Sequence, residues 1–226
     1  MTLIINKIFK ISIISLLCLL KSYSYGQENV ATPFHNPPIN AEAMVGSRGL
    51  SFQMIIDKKI KSLPQVGFFS VTDINTDWGE QNVTDVMTQA NLTLDLLKGL
   101  RVNAGFHYTP VTGVRPSAGL IYTFANEDWL VLLAPRIDIV KNPNVEGVMI
   151  AEFQPKINEN WRYYFRLQGL YSHMTETEDH GRSYMRARAG LSYKEISFGI
   201  GANIEYYGPM KHNENNIGFF TKILLF

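Results

Sequence analysis

The sequence predicts an all-β chain, a closed antiparallel β-barrel of about twelve strands with its apolar face turned toward lipid. Three observations predict it. From about Gly49 to the last residue, apolar and polar residues alternate with period two, which in a strand sends successive side chains to opposite faces. Several of these segments run for about 10–14 residues, longer than the strands of soluble sheets and long enough for a tilted bilayer span. Charged residues make up only 18% of the 226 residues while aromatics reach 12%, a balance that suits a polar interior and an aromatic membrane boundary.

The first 26 residues predict an export signal. Lys7 and Lys10 form a basic start, Ile11 to Leu20 an apolar core, and Ser24-Tyr25-Gly26 a small-residue cleavage site before Gln27. That core is too short for an ordinary membrane-spanning helix, which needs roughly 20 residues. Cleavage has two consequences. It removes Cys18, the single cysteine, so the mature chain holds neither a disulfide nor a thiol active site. It also removes Lys7, Lys10 and Lys21 with no acid, taking the formal charge from +1 to −2. A nearly neutral chain with no basic domain gives no footing for nucleic acid.

Residues 27–45, with Pro33, Pro37 and Pro38, show no periodicity and read as an irregular lead-in. Residues 46–226 read as the barrel. Strands are expected at 48–58, 65–74, 84–97, 100–109, 114–124, 128–140, 145–155, 161–172, 182–193, 196–207 and 216–226. The segment from Trp161 shows the pattern well, with Trp161, Tyr163, Phe165 and Leu167 facing one way and Arg162, Tyr164, Arg166 and Gln168 the other. Tight turns are expected at Lys98-Gly99, Asn126-Glu127-Asp128, Asn158-Glu159-Asn160 and Lys194-Glu195, and longer loops at 75–83, 174–181 and 208–215. These segments number eleven, whereas single-chain bacterial barrels carry an even number. Twelve is therefore the expected count, with ten as the alternative, and the parity is to be settled within residues 27–75.

The chain ends in an apolar-rich strand, Ile217 to Phe226, with the aromatic at the carboxyl terminus. With the export signal and the alternating strands, this resembles the bacterial outer-membrane β-barrel proteins, at the level of the superfamily and over about residues 45–226. The resemblance implies a place in the outer membrane after cleavage, contact with its lipid, and recognition by the barrel assembly machinery through the final strand and Phe226. It supplies no catalytic or ligand motif.

If the apolar face meets lipid, the other face lines the lumen. The expected lumen residues are Asp95, Arg101, His107, Arg115, Arg136, Asp138, Glu152, Arg162, Arg166, Arg186, Arg188 and Glu205, with Asn103, Glu146 and Gln154 beside them. Two chemistries fit this set. Rings of arginine would select a small anionic solute. The same arginines paired with the acids would fill the lumen with an internal ion-pair network, since buried charges are costly unless paired. The second is the more economical reading.

No cofactor or metal is expected. His173, Glu176, Glu178, Asp179, His180, His212 and Glu214 gather in two expected loops and Asp73, Asp77 and Glu80 in a third, but without metal-binding spacing. An outer-membrane lipid hydrolase of the deacylase or phospholipase type is the alternative function. It would need Ser172-His173 or His107 as a nucleophile and base, yet no G-x-S-x-G turn is present. Trp78, Trp129, Trp161, Tyr108, Tyr122, Tyr171, Tyr193, Tyr206 and Tyr207 fit interfacial girdles. The expected function is non-enzymatic: a structural or interaction role, or a narrow solute channel.

Overall fold

The computed structural model describes residues 36–79 and 85–226; the expected export signal lies outside them. The strands are β1 (Ile39–Gly46), β2 (Gly49–Ile60), β3 (Leu63–Asp77), β4 (Asp85–Leu97), β5 (Leu100–Thr109) and β6 (Gly113–Ala125). They continue as β7 (Trp129–Asp138), β8 (Asn144–Phe153), β9 (Trp161–Met174), β10 (Asp179–Tyr193), β11 (Ile196–Tyr207) and β12 (His212–Leu225). Each pairs antiparallel with its chain neighbours, and β1 pairs with β12, so the sheet closes into a barrel of twelve strands. Both Ile39 and Leu225 lie at one end, called proximal below; the other end is distal.

The strand missing from the alternation is β1. All of it but Gly46 lies within residues 27–45, expected to be irregular, so the barrel begins at Ile39 and not at residue 46. Its outward side chains are the small Ala41, Ala43 and Val45, its inward ones include Glu42 and Met44, and Pro37-Pro38 stand just before it. Nothing there announces a strand. Pairing on both flanks supplies what local preference does not: Ile39 to Gly46 pair with Leu225 to Gly218, and Asn40 to Val45 with Ile55 to Leu50.

The other expected strands appear, several of them longer. β3 runs to Asp77, β10 begins at Asp179 and β12 at His212, so the expected loops at 174–181 and 208–215 shrink to 175–178 and 208–211. Proximal turns are tight for identifiable reasons. Gly99 holds a φ of +78°, and a β-carbon there would meet the Thr123 carbonyl oxygen at 2.4 Å. Asn126 Oδ1 accepts from the backbone N–H of Asp128 at 3.0 Å and of Trp129 at 2.8 Å. Asn158 Oδ1 does the same for Asn160 and Trp161, each at 3.0 Å. The two turns share the pattern Asn-Glu-x-Trp, an Asx turn that aims a tryptophan outward as the next strand starts.

The polarity is inverted relative to a soluble barrel. Leu92, Ile200, Ile217 and Phe219 are exposed on the outer wall, whereas Glu42, Asp73, Arg166, Arg186 and Glu205 are buried inside. Around the proximal rim a belt of outward aromatics runs over β7–β11. Trp129 stacks on Phe153 at 4.5 Å between centroids, Phe153 on Phe165 at 6.5 Å, and Trp161 against Tyr193 at 4.9 Å. Tyr207 departs from the girdle expectation, because it turns its hydroxyl inward to Asp85 and Glu205.

Candidate functional site: an ion-pair lattice across the lumen

The interior is filled. On the β3–β8 arc the inward residues Phe69, Val71, Met87, Ile121, Leu132 and Ile150 form an apolar cluster, and Met44, Tyr164 and Phe220 form a second on β1, β9 and β12. Between the first cluster and Arg136, Glu146 and Gln168 lies a cavity of about 30 Å³, room for one or two waters. Asn91 Oδ1 and Arg136 Nη2, which make no hydrogen bond within the protein, border it.

The remainder of the lumen is a charge lattice that reaches across the barrel. Arg182 on β10 donates to Asp85 Oδ2 on β4 at 2.9 Å, although the two strands lie six positions apart around a ring of twelve. Arg182 also pairs with Glu205, and Arg186 pairs with Asp73 on β3 and donates to Glu205 Oε1 at 2.6 Å. Gln53 donates to the same Asp73 at 2.8 Å, and the Arg186 guanidinium lies 4.3 Å from the Tyr184 ring centre. One level toward the proximal end, Glu42 on β1 receives Arg188 at 2.9 Å and Arg166 at 3.2 Å. Lys222 on β12 closes the series, donating to both oxygens of Glu152 on β8 at 2.7 and 2.9 Å.

These five bases, Arg166, Arg182, Arg186, Arg188 and Lys222, face five acids, Glu42, Asp73, Asp85, Glu152 and Glu205, so the lattice carries no formal charge. Smaller groups repeat the pattern. Arg101 grips Asp57 through two bonds of 2.6 and 2.8 Å, and Arg136 donates to Asp138 at 2.8 Å and Glu146 at 2.9 Å, with Arg115 3.5 Å from Asp138. Asp95 pairs with Lys59 toward the proximal rim. In the distal turn between β1 and β2, Arg48 bonds Asp77, which together with Glu214 raises the guanidinium pKa above its ordinary value.

Of the residues expected to line the lumen, Arg101, His107, Arg136, Asp138, Glu152, Arg166, Arg186, Arg188 and Glu205 are buried within it, and Asp95 and Arg115 lie half-buried toward its mouths. Arg162 is elsewhere. It sits on the proximal rim, donating to the carbonyls of Gln154 and Glu127 and to Asp128, where it braces turns. Glu42, Asp73, Asp85, Arg182 and Lys222 were not among the expected residues. Asp73, grouped with the loop acids Asp77 and Glu80 although it falls near the end of the expected strand 65–74, is a lumen residue of β3 and carries one of the long cross-lumen bonds. His180 also leaves its expected loop: it is buried at the start of β10, with Nδ1 2.8 Å from the Gly208 carbonyl oxygen and Nε2 2.9 Å from Ser183 Oγ.

The residues a hydrolase would need are not brought together. Ser172 Oγ donates to Asn144 at 2.9 Å, while His173, the next residue on the strand, pairs with Val145 and His180. His107 lies on β5, and neither its Nδ1 nor Ser117 Oγ makes a hydrogen bond within the protein. Among the described residues no three His, Cys, Asp or Glu side chains stand in a group able to hold a metal ion.

A closed ring of long antiparallel strands, apolar outside and charged within, defines the class: a transmembrane β-barrel of the outer-membrane type. Among solved structures the chain is similar to a NanC porin, at 12% identity and a TM-score of 0.46, over 83% of this chain and 99% of that one. It is also similar to a chain solved in work on the in-meso crystallisation of membrane proteins, at 10% identity and a TM-score of 0.41, over 82% of each. No family model matches the chain, and no curated protein matches it in sequence.

Proposed function

We propose that this protein is an outer-membrane barrel with a closed lumen, acting as a structural or interaction scaffold and not as an open channel or a lipid hydrolase. The observation that carries the reading is the balanced lattice. Every arginine that would have formed a selectivity ring is bonded to an acid, and some of the bonds join opposite walls. A selectivity ring needs charge left over for the passing ion, and here it is consumed within the wall. The export signal would bring the chain across the inner membrane. The assembly machinery would then take up β12 and Phe226, with the proximal end and its tight turns toward the periplasm.

Planar-bilayer recording on the refolded protein tests the closed reading. The wild type is expected to insert without conductance steps, and steady ohmic steps would overturn it. Fractionation tests the address, since a lipid-facing barrel should stay with the outer membrane through a high-salt wash. Release by salt would place it elsewhere.

A further inference from the structure

We propose that two cross-lumen pairs, Arg186–Asp73 and Arg182–Asp85, hold the barrel in a flattened section, and that releasing them opens an anion-conducting lane along β9 and β10. The inference rests on the closed-lumen reading and adds a latent activity to it.

The geometry is the first support. Twelve strands spaced ~4.8 Å apart and tilted ~40° would close a circular wall about 24 Å across. An extended arginine bonded to an aspartate bridges about 13 Å between the two backbones. Yet Arg182 reaches Asp85 from the strand diametrically opposite, and Arg186 reaches Asp73 from five strands away. β10 is therefore drawn toward β3 and β4, and the section is narrower along that diameter than along the other.

The tie is also separable from the larger apolar cluster, while nearer the proximal end Arg188 and Arg166 keep their bonds to Glu42, and Arg166 its bond to Gln53. That cluster belongs to β3–β8 and takes no residue from β10, so the distal part of β10, which carries Arg182 and Arg186, can move outward without dismantling it. Glu205 still neutralises part of the charge on Arg182 and Arg186 once the aspartates let go.

The charge that remains sets the selectivity. With Asp73 and Asp85 neutral, the lattice keeps its five bases against three acids, Glu42, Glu152 and Glu205, a surplus of two positive charges. Arg166, Arg182, Arg186 and Arg188 stand on adjacent strands facing the vacated side. Such a strip favours an anion over a cation.

The test uses the full chain with Cys18→Ser and spin labels on two outward positions, Met185→Cys of β10 and Thr88→Cys of β4. Asp73→Asn with Asp85→Asn is expected to lengthen the label distance by up to about 10 Å. In a bilayer under a potassium chloride gradient, the same variant is expected to conduct, with a reversal potential on the chloride side. A folded double variant whose distance is unchanged overturns the proposal. So does one that widens but stays silent or prefers potassium. Should the double variant not fold, Asp85→Asn alone is measured in the same two ways and must show both effects, failing which the proposal falls. Conductance by the wild type would instead overturn the closed reading on which this rests.

Discussion

At the scale of single residues, stability should follow the pairing and not the charge. Arg186 is buried and bonded to two acids. Arg186→Met leaves Asp73 and Glu205 short of their main partner, and should cost about 3–5 kcal/mol. Lys156, exposed beside Glu127 on the proximal rim, is the contrast: Lys156→Met should change stability by less than about 1 kcal/mol. Urea unfolding of the refolded barrel in detergent measures both, and equal losses would contradict the lattice as a stabilising unit. Much of the lattice was legible as a list of inward residues, because alternation tells which face a side chain takes. Who pairs with whom was not. Asp85 and Arg182 are 97 positions apart in the chain, and only closure of the ring brings them together. Glu42 stayed hidden in a strand without a signature, and Asp73, near the end of the expected strand 65–74, was grouped with the loop acids that follow it.

The elements show why the strand ends were misplaced. β3, β10 and β12 extend past the apolar band as Asn75, Thr76 and Asp77, as Asp179 to Gly181, and as His212 to Asn215. Pairing continues there, through contacts such as Asn75↔Asp85 and Tyr207↔His212, but polar residues occupy both faces and alternation fades. Periodicity therefore marks the membrane-facing part of a strand better than the strand itself. The turns carry their own expectations. Asn126→Ala and Asn158→Ala each remove a side chain that accepts two backbone N–H groups, and each should cost about 1 kcal/mol. Gly99→Ala must bear both a positive φ and a contact with the Thr123 carbonyl oxygen, so it should cost more than about 1 kcal/mol. The same urea midpoints check all three, and a neutral Gly99→Ala would contradict the tight turn.

At the scale of the whole molecule, the inverted polarity makes a directional claim. Leu92 is 64% exposed on the outer wall of β4. On a soluble barrel Leu92→Arg would be harmless. In a bilayer it should cost about 2–4 kcal/mol near the midplane, read as a lowered urea midpoint in lipid vesicles. The outward apolar face traces to alternation in the sequence; the twelfth strand traces instead to the even-number rule, because alternation alone gives eleven and β1, which closes the ring against β12, lacks it. The filled interior traces to neither, because the same inward arginines would serve an open pore or a closed one until their partners across the lumen are known.

The closed interior is the claim on which the rest depends, and thiol access at its centre tests it most directly. Val71 is buried midway along β3 within the apolar cluster, and Thr112 sits on the exposed distal turn between β5 and β6. Val71→Cys and Thr112→Cys, each in a chain carrying Cys18→Ser, would be exposed to a small charged thiol reagent in lipid vesicles. The closed lattice predicts rapid labelling at position 112 and protection at position 71 that lasts until the barrel unfolds. Rapid labelling of both in the folded protein would mean water runs through the lumen, and would contradict it.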